Sequence, residues 1–323
     1  MTADAVFVEA PARLHFGVLD LHGGLGRRFG GLGAAIPDPA LLLEAVPAAG
    51  IEAEGPDADR VAASAELARG RLGTGGAAFR VHRTIPAHAG LGSGTQIGLA
   101  AARALAELYG IDADAATLAR AVDRGRRSAI GTYAFEAGGF IVEGGRVAGR
   151  DDLAPLLVRY ELPASWRYVL AIPEGPPGLS GDAEAEAFRR LPRPELREVE
   201  RVSHLVLMRL LPSIVEADLA GFGAALSEIQ QITGGWFAAG QGGVFAPGKT
   251  AELVERFRRA GAAGVGQSSW GPTAYAISGG ECAAGELAAI AAERVNGDGR
   301  IYTGAFAPRG ARVWRGVTNT LRD

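Results

Sequence analysis

One glycine-rich stretch constrains this chain more than any other feature of its sequence: Pro86-Ala87-His88-Ala89-Gly90-Leu91-Gly92-Ser93-Gly94-Thr95-Gln96. Residues 79–85 before it are apolar mostly at odd positions and predict a strand, and apolar residues recur at helical spacing from Ile97 to Leu108. Glycines let the backbone approach an anion closely, and the unpaired N–H groups that begin a helix bind phosphate oxygens. The alternative is a tight turn with a Ser or Thr at the helix N-cap. The candidate phosphate-binding residues of this loop are Gly90, Gly92, Ser93, Gly94 and Thr95.

Composition excludes several classes of partner. The net charge of −3 and the pI near 6.0 predict no overall attraction for nucleic acid or for an anionic membrane. The N-terminus carries acids and no basic run before an apolar stretch, and no segment reaches about 18 uncharged apolar residues. Cys282 is the only cysteine, which excludes an intrachain disulfide and a cysteine-rich metal site. We expect a cytoplasmic protein whose partners are small-molecule substrates.

A second glycine-rich stretch, residues 20–33, brings Asp20 and Arg27 close together. The strand predicted before it carries Arg13 and His15 between apolar residues. Such a run of glycines lets backbone and charge approach a ligand. The alternative is a surface hairpin whose charges are solvated.

A third segment, residues 264–273, contains the polar cluster Gln267-Ser268-Ser269 before a predicted strand. Hydroxyl and amide groups on a flexible loop suit an anion or a sugar. An Asx/ST-type turn explains the same residues equally well.

Arginines cluster after a predicted helix for which Asp112 is the expected N-cap. We expect Arg124 to complement the end of that helix in solvent. Arg127 borders another glycine-rich stretch, residues 131–139, so a solvated role and ligand binding both stay open for it. Residues 140–147 predict a hairpin with a Gly-Gly turn.

The chain is long enough for two modest domains, and proline and charge interrupt its periodicity between residues 149 and 163. We therefore predict domains over 1–160 and 161–323. The order of elements in the second half predicts a split βαβ sandwich. The other predicted elements are a strand over 6–19 interrupted by Pro11, a turn at 37–39, a helix over 59–71, a strand over 166–172, a loop over 173–178, a helical region over 183–211, a helix over 218–232, loops at 234–237 and 240–243, a helix over 251–260, a loop and strand over 264–278, a helix over 285–295 and a strand over 301–306.

Pro86 through Thr95 resembles the second motif of the GHMP kinase superfamily. The resemblance implies an α+β fold with an S5-like N-terminal domain and a ferredoxin-like C-terminal domain. It is sharpest for one branch, the β-ribofuranosylaminobenzene 5′-phosphate synthases, and covers nearly the whole chain. The segments that carry it are Arg13-Leu14-His15-Phe16-Gly17, Leu19-Asp20-Leu21, Gly26-Arg27, Gly30-Gly31-Leu32-Gly33, Gly131-Thr132, Phe135-Glu136-Ala137-Gly138-Gly139-Phe140 and Gln267-Ser268-Ser269-Trp270-Gly271-Pro272-Thr273.

This resemblance implies a decarboxylating phosphoribosyl transfer. Phosphoribosyl pyrophosphate would react with 4-aminobenzoate or another 4-substituted benzoate, releasing carbon dioxide and pyrophosphate, in the biosynthesis of methanopterin-type cofactors. It further implies Mg²⁺ with the pyrophosphate substrate, no organic cofactor, and a homodimer. The third kinase motif is usually glycine-rich, whereas Gln267-Ser268-Ser269-Trp270 stands in its place here. An ATP-dependent small-molecule kinase is therefore the weaker alternative.

The implied chemistry assigns roles to residues. Ionisation at the sugar needs fixed charges that stabilise the sugar cation and the leaving pyrophosphate. Asp20 and Arg27 are assigned to catalysis: the guanidinium of Arg27 to a phosphate, and Asp20 to the sugar cation or a magnesium ion, with Glu136 as the second candidate metal ligand. Arg13 or His15 would hold the benzoate carboxylate. The residues assigned to substrate binding are Arg13, His15, Gly90, Gly92, Ser93, Gly94, Thr95, Gly131, Thr132, Glu136, Gln267, Ser268 and Ser269.

Overall fold

The computed structural model describes residues 4–147, 149–150, 152–175, 178 and 181–317, with the backbone alone at 182–185. Within these residues the fold is α+β, as predicted, with one eight-stranded and one four-stranded sheet. Residues 176–177 of the loop predicted over 173–178 lie outside the described residues. The strands are β1 (Asp4–Asp20), β2 (Arg27–Ala48), β3 (Ile51–Glu54), β4 (Gly76–Arg83), β5 (Phe140–Glu143), β6 (Arg146–Val147), β7 (Leu156–Tyr160), β8 (Trp166–Pro173), β9 (Gly264–Gln267), β10 (Ala274–Gly279), β11 (Gly299–Ala305) and β12 (Arg312–Val317).

The first sheet has the order β12-β1-β2-β4-β3, with β5 and β6 paired to β2 and β7 paired to β5. The second sheet has the order β11-β8-β10-β9 and is antiparallel throughout. Among the described residues, no helix combines the length and apolar character needed to cross a bilayer. The helices are α1 (Ala58–Leu72), α2 (Ser93–Leu108), α3 (Ala115–Ala121), α4 (Ile130–Glu136), α5 (Gly181–Arg190), α6 (Leu196–Leu205), α7 (Leu211–Val215), α8 (Leu219–Gln241), α9 (Lys249–Arg259) and α10 (Gly280–Val295), with a π-helical turn at Val206–Leu210 between α6 and α7.

Buried aromatic side chains join the two sheets into one core. The ring centroids of Phe16 on β1 and Tyr275 on β10 lie 5.2 Å apart, and those of Phe140 on β5 and Phe222 on α8 lie 6.0 Å apart. All four rings are fully buried, and burying each of the three phenylalanine side chains contributes roughly 1.5–3 kcal/mol. The shared core fixes the two halves relative to each other.

The two sheets do not divide simply along the chain. β7 ends at Tyr160 in the first sheet, and β8 begins at Trp166 in the second. β12, which the sequence did not predict, returns to the first sheet beside β1. The division into residues 1–160 and 161–323 stays a prediction.

Prolines interrupt the first sheet less than expected. β1 continues through Pro11, and the turn predicted at 37–39 is wrong because β2 runs through these residues. Pro11 pairs with Ala40 and Ala12 pairs with Ile36, so residues 37–39 bulge out of the ladder. Proline has no N–H to donate, and a bulge is where a sheet tolerates it.

The hairpin predicted over 140–147 is also wrong. β5 and β6 do not pair with each other in the described chain, since both pair with the long strand β2. Gly145 bends the chain between them with a φ of 67°. The N-cap predicted at Asp112 lies two residues later: the Asp114 side chain accepts from Thr117 N at 2.7 Å and begins α3.

Helix α8 is longer than predicted. The glycine-rich residues 234–237 continue the helix to Gln241, so the loop predicted there is wrong. A Cβ at Gly234 would lie 2.4 Å from the carbonyl oxygen of Val244, and Trp236 is buried. This packing outweighs the cost of about 1 kcal/mol for a glycine inside a helix. The single helical region predicted over 183–211 is divided at residues 191–195.

Candidate active site

A central cavity of about 760 Å³ lies where the two halves of the fold meet. Its walls come from β1, the glycine-rich loop before α2, the segment after α3, the second half of α8 and the loop between β9 and β10. Small-molecule sites commonly enclose roughly 300–1,000 Å³. The cavity therefore has the size of a substrate site.

The glycine-rich loop ends at the N-terminus of α2, which borders the central cavity through Ser93, Gly94 and Thr95. Gly92 precedes the helix with a φ of 81°, a left-handed conformation that favours glycine. The first N–H groups of a helix lack partners within it, and the helix dipole adds positive potential there. The start of α2 therefore has the geometry of an anion-binding terminus.

The loop between β9 and β10 holds the glycine-rich loop in place. Ser268 Oγ donates to Gly90 O at 2.7 Å, and Thr273 Oγ1 donates to Ala89 O at 2.5 Å. A Cβ at Gly90 would lie 2.0 Å from the carbonyl oxygen of Ser268, so only glycine fits this contact. The position of the anion-binding loop thus depends on the second half of the chain.

Five arginines line the described part of the central cavity, and three of them, Arg13, Arg60 and Arg124, lie near the start of α2. Arg60 donates to Ser93 Oγ at 3.1 Å. A Cβ at Gly94 would lie 3.2 Å from Arg60 Nη2 and 3.5 Å from Arg124 Nη2, so two guanidinium groups flank the first turn of the helix. We call these residues the arginine cluster. Its members are Arg13, Arg60, Arg124, Arg126 and Arg127.

Acidic side chains do not balance this charge. Among the described lining residues Asp123 is the one carboxylate, and it is already paired with Arg126 at 2.8 Å. Burial lowers the pKa of Arg124, and the neighbouring cations Arg60 and Arg127 lower it further, although the side chain keeps contact with solvent. Like charges this close are relieved by an anion between them. The arginine cluster therefore suits a polyphosphate.

Aromatic rings from four separate elements form one side of the cavity, which we call the aromatic wall. Phe188 packs edge to face against Phe29 and Phe237, with 5.7 Å between ring centroids in each pair. Arg127 Cζ lies 5.9 Å from the centroid of Phe188, so the arginine cluster adjoins the wall. A flat aromatic carboxylate could pack its ring on these rings and its charge beside arginine. The aromatic wall consists of Phe29, Phe188, Phe237 and Trp270.

His15 reaches the cavity from β1. Its Nε2 atom lies 3.3 Å from Ser128 Oγ, and its backbone N–H donates to Ser268 Oγ at 3.0 Å. Burial and the charge of Arg13 lower the pKa of His15 to about 3. The imidazole is therefore neutral near pH 7 and offers one N–H donor and one lone pair.

The predicted catalytic residues Asp20 and Arg27 do not line the central cavity. They flank the turn between β1 and β2, where Asp20 Oδ1 accepts from Gly23 N at 2.7 Å and Arg27 Nη1 donates to Gly145 O at 2.9 Å. Those contacts stabilise the turn, and the catalytic assignments stay predictions. The predicted substrate-binding residues that do line the cavity are Arg13, His15, Gly90, Gly92, Ser93, Gly94, Thr95, Gln267 and Ser269.

The other predicted residues occupy packing or surface positions. Gly131 and Thr132 lie in α4, where a Cβ at Gly131 would approach Thr95 Cγ2 to 3.0 Å. Glu136 is exposed at the end of the same helix. Ser268 is buried behind the lining, and the side-chain amide of Gln267 makes hydrogen bonds within the protein.

The described residues do not form a metal site of their own. They contain no group of three or more His, Cys, Asp or Glu side chains that could hold an ion. The candidate ligands Asp20 and Glu136 are absent from the cavity lining, and Asp123 is paired with arginine. This donor set does not fit a magnesium ion held by protein groups alone. Mg²⁺ often keeps water and substrate phosphates as ligands in place of protein groups.

Most members of the arginine cluster and the whole aromatic wall escaped prediction from sequence. Arg124 is exposed, as expected, but its guanidinium lies beside the first turn of α2 and the residue lines the cavity, which the sequence did not predict. The sequence signal that pointed to Arg124 was the presence of three arginines around Gly125. In the structure Gly125 has a φ of 78°. Trp270 lies in the segment Gln267–Thr273 that carries the family resemblance. Arg60, Phe29, Phe188 and Phe237 carry no local signal, since they come from distant parts of the chain.

Known proteins resemble both halves of this chain. The model of the GHMP kinases N terminal domain matches residues 59–139, and that of the GHMP kinases C terminal domain matches residues 210–296. A beta-ribofuranosylphenol 5′-phosphate synthase of Methanothermobacter thermautotrophicus is 36% identical over 328 residues, which cover 95% of this chain and 98% of the relative. A protein of the same name from Archaeoglobus fulgidus is 36% identical over 287 residues, 84% of this chain and 87% of the relative.

Solved structures show the same fold at low identity. A homoserine kinase from Cytophaga hutchinsonii superimposes with a TM-score of 0.72 at 18% identity, covering 96% of this chain and 98% of the other. A mevalonate diphosphate decarboxylase from Staphylococcus aureus gives a TM-score of 0.65 at 12% identity, covering 96% and 98%. These similarities show the fold alone.

Proposed function

Because this chain belongs to the family of the beta-ribofuranosylphenol 5′-phosphate synthases, enzymes with the GHMP kinase domains, we propose that it joins a phosphoribosyl group to an aromatic acid. In this proposal the donor is phosphoribosyl pyrophosphate and the acceptor is a 4-substituted benzoate. Carbon dioxide and pyrophosphate are the other products. The kinase alternative is not favoured, since the named relatives are synthases.

One observation carries the proposal: a single cavity combines the arginine cluster at a helix N-terminus with the aromatic wall. The donor is a polyanion and the acceptor is a flat ring, so the two substrates need these two surfaces side by side. The contact between Arg127 and Phe188 shows that the surfaces adjoin. This supports a reaction between a phosphorylated sugar and an aromatic ring.

The first chemical step breaks the bond between the anomeric carbon and the pyrophosphate oxygen, and the electron pair leaves with pyrophosphate. Negative charge then grows on the leaving group. Arg60 and Arg124, together with the first N–H groups of α2, are placed to stabilise it. Arginine binds phosphate through paired donors, which a single ammonium charge does not reproduce.

In the second step the ring carbon that carries the carboxylate supplies an electron pair to the anomeric carbon. The bond to the carboxylate then breaks, its electron pair restores the aromatic ring, and carbon dioxide leaves. No proton leaves the attacking carbon, so a strong general base there is not required. The aromatic wall would hold the ring in position, which removes much of the entropic barrier to the meeting of two substrates.

The names of the relatives bear on the acceptor. They describe a ribofuranosylphenol product, whose parent acid is 4-hydroxybenzoate, so we propose this acid ahead of 4-aminobenzoate. The resemblance found in the sequence supports methanopterin biosynthesis as the pathway that uses the product. A homodimer, a cytoplasmic location and magnesium carried by the pyrophosphate complete the proposal.

The decisive experiment incubates the purified protein with phosphoribosyl pyrophosphate, magnesium and carboxyl-labelled 4-hydroxybenzoate or 4-aminobenzoate. We expect labelled carbon dioxide, pyrophosphate in equal amount and a carbon-linked riboside by mass spectrometry. A parallel reaction with ATP replaces the sugar donor. Saturating substrates without release of carbon dioxide from either acid would overturn the proposal, and ATP consumption with a phosphorylated acceptor would support the kinase.

A further inference from the structure

Glu143, at the end of β5, is a buried carboxylate with one unpaired oxygen. Its side chain is 0% exposed. Oε2 accepts from Gly145 N at 2.7 Å, whereas Oε1 has no hydrogen-bond partner in this arrangement. A buried acceptor without a donor loses much of the solvation that it has in water. A nearby group that can turn a hydrogen toward Oε1 is therefore expected.

Ser128 and His15 lie between Glu143 and the central cavity. Both line the cavity, whereas Glu143 does not. A hydrogen bond from the Ser128 side chain lowers the pKa of the Glu143 carboxyl and so favours its ionised form. A Cβ at Gly31 would lie 3.1 Å from Glu143 Oε1 and 3.4 Å from His15 Nε2, so these two atoms border the same glycine. The three side chains thus form a polar path from the cavity to a buried acid.

The hydroxyl of Ser128 has one hydrogen and two possible acceptors, His15 Nε2 at 3.3 Å and the Glu143 carboxylate. Donation to His15 would withdraw this donor from the buried carboxylate. Donation to Glu143 keeps the carboxylate paired and leaves Ser128 Oγ to accept the proton of His15 Nε2–H. Only the second arrangement pairs all three groups when Glu143 is ionised, so it has the lower free energy.

We propose that Glu143 is a positioning residue that, through Ser128, holds His15 in the Nε2–H tautomer and thereby gives the cavity a neutral hydrogen-bond acceptor at Nδ1. Such an acceptor binds an O–H donor of a substrate and repels a carboxylate. The donor is a ribose hydroxyl or the ring hydroxyl of the acceptor. This ligand rests on the proposed function, whereas the tautomer does not.

The arrangement depends on pH because Glu143 titrates near neutrality. Burial raises the pKa of Glu143 to about 7, against the opposite effect of hydrogen bonds from Gly145, Ala129 and Ser128. Below this pH the carboxyl carries a proton and donates it to Ser128 Oγ. Ser128 then donates to His15 Nε2, and His15 moves to the Nδ1–H tautomer.

Other titratable groups near Glu143 keep their charge through this transition. Among the described residues these groups are Arg146 on β6, Tyr133 on α4 and His15 on β1. Burial raises the pKa of Tyr133 above its usual value, and burial with Arg13 lowers that of His15 to about 3. A change in the His15 tautomer near pH 7 therefore reports the titration of Glu143.

The test uses the ligand-free protein labelled with ¹⁵N-histidine. Long-range ¹H–¹⁵N spectra identify the His15 tautomer, with His15→Gln providing the assignment. We expect Nε2–H in the wild type above about pH 7, and conversion to Nδ1–H as the pH falls through the pKa of Glu143. Glu143→Gln and Ser128→Ala should each abolish this conversion, and the double variant should behave like either single one.

Glu44→Gln is the matched control. Glu44 is a buried acid, 4% exposed, that contacts His82 Nε2 at 2.8 Å and has an unpaired Oε1, but it lies outside the cavity lining. The Glu44→Gln variant should leave the His15 spectrum unchanged. A wild-type His15 in the Nδ1–H form at about pH 8.5, or an unaltered pH dependence in Ser128→Ala, would overturn the proposal even where Glu143→Gln fails to fold.

A second measurement identifies the donor without turnover. Calorimetry gives the affinity of phosphoribosyl pyrophosphate alone and of 4-hydroxybenzoate alone for the wild type and Ser128→Ala. Weakening of roughly 5- to 10-fold for only the sugar assigns the ribose hydroxyl, and the same loss for only the benzoate assigns the ring hydroxyl. If Ser128→Ala binds each ligand as tightly as the wild type does, the ligand assignment is overturned.

Discussion

Arg60 donates a hydrogen bond to the Ser93 hydroxyl at 3.1 Å, and this contact places a guanidinium group beside the N-terminus of α2. The two residues belong to different helices, since Arg60 lies in the first turn of α1. Asp57 Oδ1 accepts from Arg60 Nη1 at 2.9 Å and orients the same group from the other side. Fixed charge and helix dipole therefore act on one ligand position.

Arg60→Ala should lower kcat/KM for phosphoribosyl pyrophosphate by roughly 100-fold, because a fixed donor to the leaving group is lost. Arg60→Lys should recover only part of this, since an ammonium cannot bond Ser93, Asp57 and a phosphate as a planar fork does. Steady-state kinetics measure both effects. Arg80→Ala, which removes an exposed arginine paired with Glu54, is the control and should retain normal kinetics. Equal rates for Arg60→Ala and Arg80→Ala would mean that Arg60 does not act on the substrate.

Gly90→Ala should abolish binding of phosphoribosyl pyrophosphate, because the new Cβ would lie 2.0 Å from the carbonyl oxygen of Ser268 and push the loop away. Gly73→Ala is matched in conformation: Gly73 has a φ of 69°, and nothing lies within 4 Å of its Cβ position. It carries the same backbone strain of about 1–2 kcal/mol but should bind normally. Calorimetry compares the two variants, and equal affinities would contradict a role of this loop in anion binding.

Phe237→Leu should raise KM for the aromatic acid by roughly 10-fold and leave KM for phosphoribosyl pyrophosphate nearly unchanged, because only the ring loses its packing partner. The control is Trp314→Leu, which removes a ring stacked on Phe7 at 5.4 Å and outside the cavity lining. Initial rates at varied concentrations of each substrate separate the effects. A change in KM for the sugar donor alone would place the acceptor elsewhere.

Glu143→Gln should change how stability depends on pH. Since burial raises the pKa of Glu143 in the folded protein to about 7, the wild type loses stability from this group as pH rises from its unfolded pKa of about 4.3 to 7. A shift of this size corresponds to about 4 kcal/mol. Urea unfolding at about pH 5 and pH 8 should therefore show that the free energy of unfolding of the variant, relative to that of the wild type, is higher at pH 8 than at pH 5. The same difference at both values would mean that Glu143 is not perturbed.

Asp20→Asn and Arg27→Ala test the catalytic roles that the sequence assigns to these residues. If they act on substrate, each should lower turnover by roughly 100-fold while the thermal unfolding midpoint stays close to that of the wild type. Their hydrogen bonds to Gly23 and Gly145 offer a purely structural role instead. Normal turnover in both variants would mean that the arginine cluster, and not Asp20 or Arg27, stabilises the pyrophosphate.

Local sequence patterns predicted the regular elements where one periodicity dominated. The alternating apolar residues before the glycine-rich loop predicted the strand, and the helical spacing of apolar residues after it predicted the helix. The pattern failed where a distant partner overrode a local signal. The Gly-Gly turn after β5 did not make a hairpin because β2 offered a longer partner, and Gly234 did not end α8 because packing against Val244 maintained the helix.

By itself the sequence determined the α+β class and the family, through short motifs spread along the chain, and the loop that begins α2, because each of these motifs consists of neighbouring residues. Only the tertiary structure decided which side chains share the cavity. Arg60 and Arg124 meet at Gly94, and Phe188 meets Trp270, because helices and loops from both halves pack on one core. Such long-range contacts depend on how surfaces fit together, so they leave no pattern in the neighbouring sequence.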